Sequence, residues 1–378
     1  AAIAGQGERR VWGTPPSPPG SERIQAALGG RVCHSYAPYD LPWIVARFLA
    51  RVQPQQVVVM ETELWPNLFA ALKARGTPLM IANARLSPRS FKGYGRVAAF
   101  SRSVLSAVHT VAAQSPLDAE RFAALGAPRV EATGNLKFDL ALPAQPAALT
   151  AQLRALSAGP IWAAVSTHER EEQAALAAHQ MLLQTHPQAL LLLVPRHPQR
   201  FDAVAAQISA SGLAFCRRSA LFSEPAGLPP VSAALGSATG ASESTRCSDP
   251  PTPHVLLIDS MGEVLAVLAA SQIAFVGGSL GPVGGHNVLE PAALGVPVLF
   301  GPHMHNFLAA RDLLLQAEVA QQIAGADALA AALRAWLPPE ARPEQIAARS
   351  ARAAAAIAAN RGALARHLTI LRQHRAAA

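Results

Sequence analysis

The sequence predicts an α/β protein made of two Rossmann-like domains, each built on a parallel sheet. Three observations lead there. Short runs of branched apolar residues alternate with longer helical patterns, which is how parallel strands joined by helical crossovers read. The chain has 378 residues, too many for one small core. A proline-bearing stretch, "LALPAQPAAL" from residue 140, divides the runs into two sets.

The first set comprises "VVVM" (57–60), "LMIA" (79–82) and "HTVAA" (109–113), and defines an N-terminal domain over residues 1–145. The second comprises "IWAAV" (161–165), "LLLLVP" (190–195), "VLLI" (255–258), "IAFV" (273–276) and "PVLF" (297–300), in a domain over 146–340. Residues 222–253 are rich in Ser, Gly, Pro and Ala and too poor in large apolar residues for a core, so a mobile surface insertion is expected. The segment 341–378 is expected to be one amphipathic helix, with Ile346, Ala353, Ile357, Leu364, Leu368 and Leu371 on a single face. That face either packs on a domain or meets a membrane or nucleic acid.

Composition narrows the function classes. No uncharged apolar run reaches the length of a membrane span. The net charge of +8 and pI near 10.2 suit an acidic partner, whether nucleic acid, a phosphorylated small molecule or an anionic membrane face. Aromatic residues are only 5% of the chain and the arginines are scattered, which leaves no stacking platform for nucleic acid. Three cysteines without C-x-x-C spacing argue against a disulfide framework or a zinc site, and no metal cluster or cofactor motif is present.

In open α/β sheets, ligands gather beyond the carboxyl ends of the strands. The conspicuous polar residues fall at those places. After "IAFV" come Gly277, Gly278 and Ser279, then Gly281, Gly284 and Gly285, then "HNVLEP" with His286, Asn287 and Glu290. Such a loop exposes N–H groups to an anion, and a phosphate is expected there. Asn287 is read either as a helix cap or as a contact, and Glu290 as an acceptor for a ribose diol. Pro195 and Arg196 end another run; the guanidinium suits a phosphate, with a surface ion pair as the competing reading. Ser166, Thr167 and His168 serve either as caps or as substrate contacts. Met261, Gly262 and Glu263 mark a further strand-to-helix junction, where the Met reads equally as core.

In the first domain, Glu61 and Glu63 follow a strand directly. Two apart on extended backbone, they are expected to face the same way and push each other's pKa values apart, unless one pairs with Arg85 or Lys92. Lys137, in "TGNLKFD", is a cation near the domain junction.

Taken in order, "PGSERI", "YAPYDLP", "METELWPNL", "IANARLS", "GNLKFD", "STHE", "LVPRHPQRF", "DSMGEV" and "FVGGSLGPVGGHNVLEPAALGVPVLFGPHMHNF" resemble the 3-deoxy-D-manno-octulosonic acid (Kdo) transferases of lipid A assembly. The resemblance runs from about Gly20 to Phe307. It implies the GT-B glycosyltransferase fold, two sheets facing a cleft with the acceptor on the N-terminal side, and an inverting transfer of Kdo from CMP-Kdo to lipid IVA in lipopolysaccharide core biosynthesis. Carried over by position, Pro195, Arg196, Met261, Gly262, Glu263, Asn287, Val288, Leu289 and Glu290 line the CMP site. Glu61 and Lys137 fall on positions taken to stabilise the transition state, where fixed opposite charges favour an oxocarbenium-like centre and a departing phosphate. Glu63, Ser166, His168, Gly277, Gly278, Ser279 and His286 are candidate substrate contacts. No metal or cofactor is implied. The partners implied are CMP-Kdo, lipid IVA and a membrane surface, at the cytoplasmic side of the inner membrane.

One departure stands against this. The family carries a membrane anchor and a Ser-x-Gly-Glu motif, whose Glu is the general base, ahead of the Pro-Gly-Ser-Glu stretch. By spacing that motif falls before residue 1, and residues 1–19 read unlike the family; Glu8 has the wrong spacing. An incomplete N-terminal sheet and a truncated or misread chain are therefore expected, binding CMP but catalysing poorly. The competing readings are a non-catalytic nucleotide-binding form and another GT-B enzyme acting on a UDP-sugar.

Overall fold

A computed structural model describes residues 11–14, 22, 28–139, 142, 147–221, 253–337 and 343–376. Residues 222–252 of the expected insertion (222–253), Glu8, most of the Pro-Gly-Ser-Glu stretch and most of the 140–146 linker lie outside the described residues. The chain forms two units: one takes residues up to 139 and those from 361 onward, the other residues 140–360.

In the first unit, β1 (Val11–Gly13) pairs in parallel with β2 (Val32–His34). Separately, β3 (Val57–Met60), β4 (Leu79–Ala84), β5 (Thr110–Ala113) and β6 (Val130–Ala132) form a parallel sheet in chain order. Four helices open on proline, at Pro42, Pro66, Pro88 and Pro116, where a missing N–H costs nothing. The hydroxyls of Ser87 and Ser115 cap two of these, accepting from Ser90 N and Asp118 N at 3.1 Å. Asp40 prepares a third start. Its carboxylate accepts the Asn67 and Leu68 N–H groups at 3.0 and 2.8 Å, which ties "YAPYDLP" to "METELWPNL".

The period of two in β4 decides what each face meets. Leu79 and Ile81 join Phe69, Leu72, Leu105 and Phe122 in the main core. Met80 and Ala82 turn the other way and are covered, with Ala112, by Ile370 and Leu371 near the end of the chain.

That covering corrects the expected single C-terminal helix. The segment is two helices, Pro343–Ala359 in the second unit and Ala363–Ala376 in the first. Gly362, at φ +91°, breaks them, and the Asp139 carboxylate accepts its N–H at 2.6 Å as well as that of Leu364. Ala353, Ile357 and Leu371 are buried as expected, whereas Leu364 is 38% exposed. Two buried histidines dock the last helix. His367 Nε2 accepts from Asn83 N at 2.9 Å while its Nδ1–H donates to Ala363 O at 2.7 Å, and His374 Nε2 lies 2.8 Å from Thr110 Oγ1. Among the described residues, no helix is long and apolar enough to cross a membrane.

The second unit holds a seven-stranded parallel sheet. In chain order its strands are β7 (Ile161–Thr167), β8 (Leu190–Pro195), β9 (Phe215–Arg217), β10 (Val255–Leu257), β11 (Ile273–Val276), β12 (Val298–Phe300) and β13 (Ala320–Gln322). In space the order is β13-β12-β11-β7-β8-β10-β9. From β7 the chain first builds to one side, then returns at β11 and builds to the other. The topological switch therefore falls between β7 and β11, the preferred ligand position in such sheets. All eight runs foreseen in the sequence are strands. Five others, β1, β2, β6, β9 and β13, have three residues each.

A buried histidine makes this unit sensitive to acid. His179, on the helix Glu169–Leu183, accepts the Trp162 indole N–H at 3.1 Å and donates to His254 O at 2.8 Å. Burial, which disfavours the charged ring, lowers its pKa to about 4. The unfolded chain, with His near 6.5, thus binds this proton more readily. The stability His179 contributes is complete above pH 6.5 and is lost as pH falls towards 4, by about 3 kcal/mol in all. Urea unfolding at pH 7 and pH 4.5 checks this. His179→Leu should flatten the pH dependence, and equally steep curves for both proteins would contradict it.

Candidate active site

In a parallel sheet every carboxyl end lies on one edge, so the loops after β11, β7, β8 and β10 are neighbours in that order. They carry, respectively, Gly277 to Glu290, Ser166 to His168, Arg196 with His197, and Met261 to Glu263.

The first amides of the glycine loop are not kept for a ligand. Glu171, 2% exposed on the first turn of its helix, accepts Gly278 N and His168 N on Oε2 at 2.8 and 3.0 Å, and Ser279 N and Leu280 N on Oε1 at 2.8 and 2.9 Å. A carboxylate of the chain itself fills the nest expected to hold phosphate. Gly277, Gly278 and Ser279 are buried. Their role is close approach: a Cβ on Gly277 would strike Ser166 O, and one on Gly278, at φ +68°, would lie 2.7 Å from the His286 ring. The helix after the loop, Leu289–Ala293, has five residues, so its dipole is small.

What the loop delivers to the surface is His286. Its Nε2 lies 3.1 Å from Nε2 of His168, the ring planes are 10° apart and the centroids 5.4 Å apart. Nearly parallel planes with the Nε2 atoms this close mean two imidazoles meeting head-on rather than face to face. His197 sets its ring edgewise to His168 at 5.6 Å. The His286 pKa is lowered, first by burial, then by His168 and Arg196, with Glu171 opposing and His197 adding a little. Ser166 holds a left-handed backbone, φ +55°, rare for a residue with a side chain, and the buried Thr167 hydroxyl has no hydrogen-bond partner among the described residues.

Arg196 is exposed, its N–H bound to Thr167 O at 3.0 Å. Pro195, Val288 and Leu289 have buried side chains, so only their backbone is left to meet a ligand. Asn287 does cap: its Oδ1 accepts Leu289 N, and its Nδ2 donates to Glu290 Oε1, both at 3.0 Å. Glu263 is committed to a partner the sequence did not suggest. Buried Arg218 donates to both its oxygens at 2.8 and 2.6 Å, and Ser260 adds a third bond. Gly262, φ +84°, shapes this turn, and Met261 is exposed rather than core.

In the first unit, Glu61 follows β3 at φ +59°, its N–H bonded to Ala82 O at 2.8 Å. The left-handed residue ends the extended run, so the alternation that was to align Glu61 with Glu63 fails; Glu63 instead accepts the Trp65 indole N–H at 3.2 Å. The turn carrying Lys137 (Leu136–Asp139) is tied back to β4 by Leu136 N donating to Asn83 Oδ1 at 3.0 Å. Arg85 donates its backbone N–H to Thr62 Oγ1 at 3.0 Å.

Sequence reasoning missed Glu171 and Arg218, and noted His197 at the end of its strand without giving it a role. Glu171 stands three residues after its helix N-cap, the spacing of a capping-box acid, and that was its one local signal.

The family model described as 3-deoxy-D-manno-octulosonic-acid transferase (kdotransferase) matches residues 3–140, so most of the stretch read as unlike the family lies inside the match. The 3-deoxy-D-manno-octulosonic acid transferase of Haemophilus influenzae is 39% identical over 363 residues, 95% of this chain and 78% of that protein. The one from Bordetella pertussis is 39% identical over 302 residues, 78% of this chain and 64% of that protein. Among solved structures, the C-terminal CMP-Kdo binding domain of WaaA from Acinetobacter baumannii aligns with 31% identity over 56% of this chain and 98% of its own, at a TM-score of 0.43. The chain is by descent a glycosyltransferase. It belongs to the 3-deoxy-D-manno-octulosonic acid transferase family.

Proposed function

We propose that the chain moves Kdo from CMP-Kdo to lipid IVA with inversion at the anomeric carbon. The observation that carries this reading is that Arg196, Glu263 and Glu290 all stand on segments following β8, β10 and β11, at the carboxyl edge of one sheet. Arg196 offers its fork to the phosphate, the turn at Met261 to Glu263 presents backbone, and Glu290, held by Asn287, faces the ribose. Glu61 and Lys137, on the other unit, are the proposed transition-state stabilisers, one for developing positive charge and one for negative. No step of this scheme calls on a metal.

A membrane surface is the proposed setting, on the cytoplasmic face of the inner membrane. The outer face of the helix Pro42–Val52 supports it: Trp43 is 68% exposed, and Arg47 and Arg51 follow it at helical spacing, an aromatic anchor beside cations suited to anionic headgroups.

Titrating the full chain with CMP and with UDP tests the donor. CMP should bind at least about tenfold tighter, a difference of about 1.4 kcal/mol. A preference for UDP would remove the Kdo reading and favour a UDP-sugar enzyme. Transfer from CMP-Kdo to lipid IVA tests the acceptor.

A further inference from the structure

We infer that the His168–His286 pair is a proton-linked phosphate contact, which takes up a proton when the phosphate of a nucleoside monophosphate binds. The inference rests on the CMP reading above and adds what that reading lacks, a group whose charge changes with the ligand.

The geometry limits the proton count. With Nε2 facing Nε2 at 3.1 Å, one nitrogen carries the hydrogen and the other accepts it. In the neutral pair the accepting ring holds its own proton on Nδ1, and the donating ring has a bare Nδ1. One added proton fills that bare position without breaking the N–H···N bond. The pair then carries a single positive charge and shows two Nδ1–H donors. A second charge would require two N–H groups to point at each other.

The surroundings disfavour charge on His286 and make it responsive to an anion. Arg196 and His197 face it from the end of β8, and His305 packs on Gly284 in the same loop as His286, beside the neutral Met304 and Asn306. Against these stands, among the described residues, the carboxylate of Glu171, and its oxygens are already shared among four backbone N–H groups. Burial and the neighbouring cations together hold His286 below its ordinary pKa. A phosphate dianion at the switch point supplies the missing negative charge, and by linkage the proton it attracts must in turn tighten its own binding. Gly278 permits this arrangement, since any side chain there would push the His286 ring off His168.

Calorimetry on the full chain decides the matter. CMP binding is measured between pH 7 and 8, where the free phosphate is already largely dianionic, in two buffers of different ionisation enthalpy. The expected result is uptake of several tenths of a proton per CMP, with affinity falling by up to about tenfold per pH unit. Cytidine, which lacks the phosphate, should bind without uptake. His168→Gln and His286→Gln keep a hydrogen-bonding side chain but cannot titrate; both should bind cytidine as the parent does, lose the proton uptake and bind CMP about tenfold more weakly. CMP binding without uptake by the unsubstituted protein, or uptake that survives in both variants, overturns the inference and leaves the CMP reading standing. Failure of CMP to bind at all overturns both. The unsubstituted protein answers the question by itself if either variant misfolds.

Discussion

Glu171→Gln is expected to destabilise the second unit by about 2–6 kcal/mol, the cost of leaving two buried N–H groups unsatisfied together with the loss of charge assistance. Each carboxylate oxygen accepts two backbone N–H groups: His168 and Gly278 on one, Ser279 and Leu280 on the other. Whichever oxygen becomes NH2, two donors meet two donors around a carboxylate that is 2% exposed. The same change frees the loop that carries His286, so CMP binding should fail even in conditions where the unit stays folded. Urea unfolding followed by calorimetry with CMP measures both. A variant with the parent's midpoint and CMP affinity would show that the loop does not depend on this carboxylate.

The second large effect concerns Arg218 and Glu263. Their side chains are 5% and 11% exposed, and the guanidinium grips both carboxylate oxygens. Glu263→Ala removes one charge and leaves the other buried, which should cost about 3–5 kcal/mol. Replacing both, as Arg218→Met with Glu263→Leu, should recover most of that loss, because apolar side chains of similar volume carry no desolvation penalty. A double-mutant cycle by denaturant unfolding reads the coupling. The double variant should also keep CMP affinity within a few-fold, since the carboxylate is occupied by Arg218 and only the turn's backbone is left for the nucleotide. Loss of CMP binding in a stable double variant would instead assign the Glu263 side chain to the ligand.

These two residues also mark where sequence reading stopped. The eight foreseen strands were legible because each lies in a short apolar run of the sequence, continuous where the strand is buried on both faces, as "LLLLVP" and "IAFV" are. The other five were not. Their residues, such as "VEA", "FCR" and "AQQ", do not stand in an apolar run, and β6, β9 and β13 lie at sheet edges, where burial demands less of the sequence. That polar groups would collect at strand tips followed from the alternation alone. Who binds whom did not: Glu171 meets a loop more than a hundred residues away, and Arg218 reaches Glu263 across a long intervening segment. The break at Asn360-Arg361-Gly362 was readable as a helix stop, but the apolar spacing on both sides matched one continuous helix and concealed it.

The last helix has a consequence for how the protein is made. The sheet of β3 to β6 is synthesised early, yet the face bearing Met80, Ala82 and Ala112 waits for residues 363–376. At ribosomal speeds the wait is roughly ten to fifty seconds. Throughout it the nascent protein shows a bare apolar sheet while the later unit is still being threaded out and folded, an interval in which a chaperone bound to that face would spare it from aggregation.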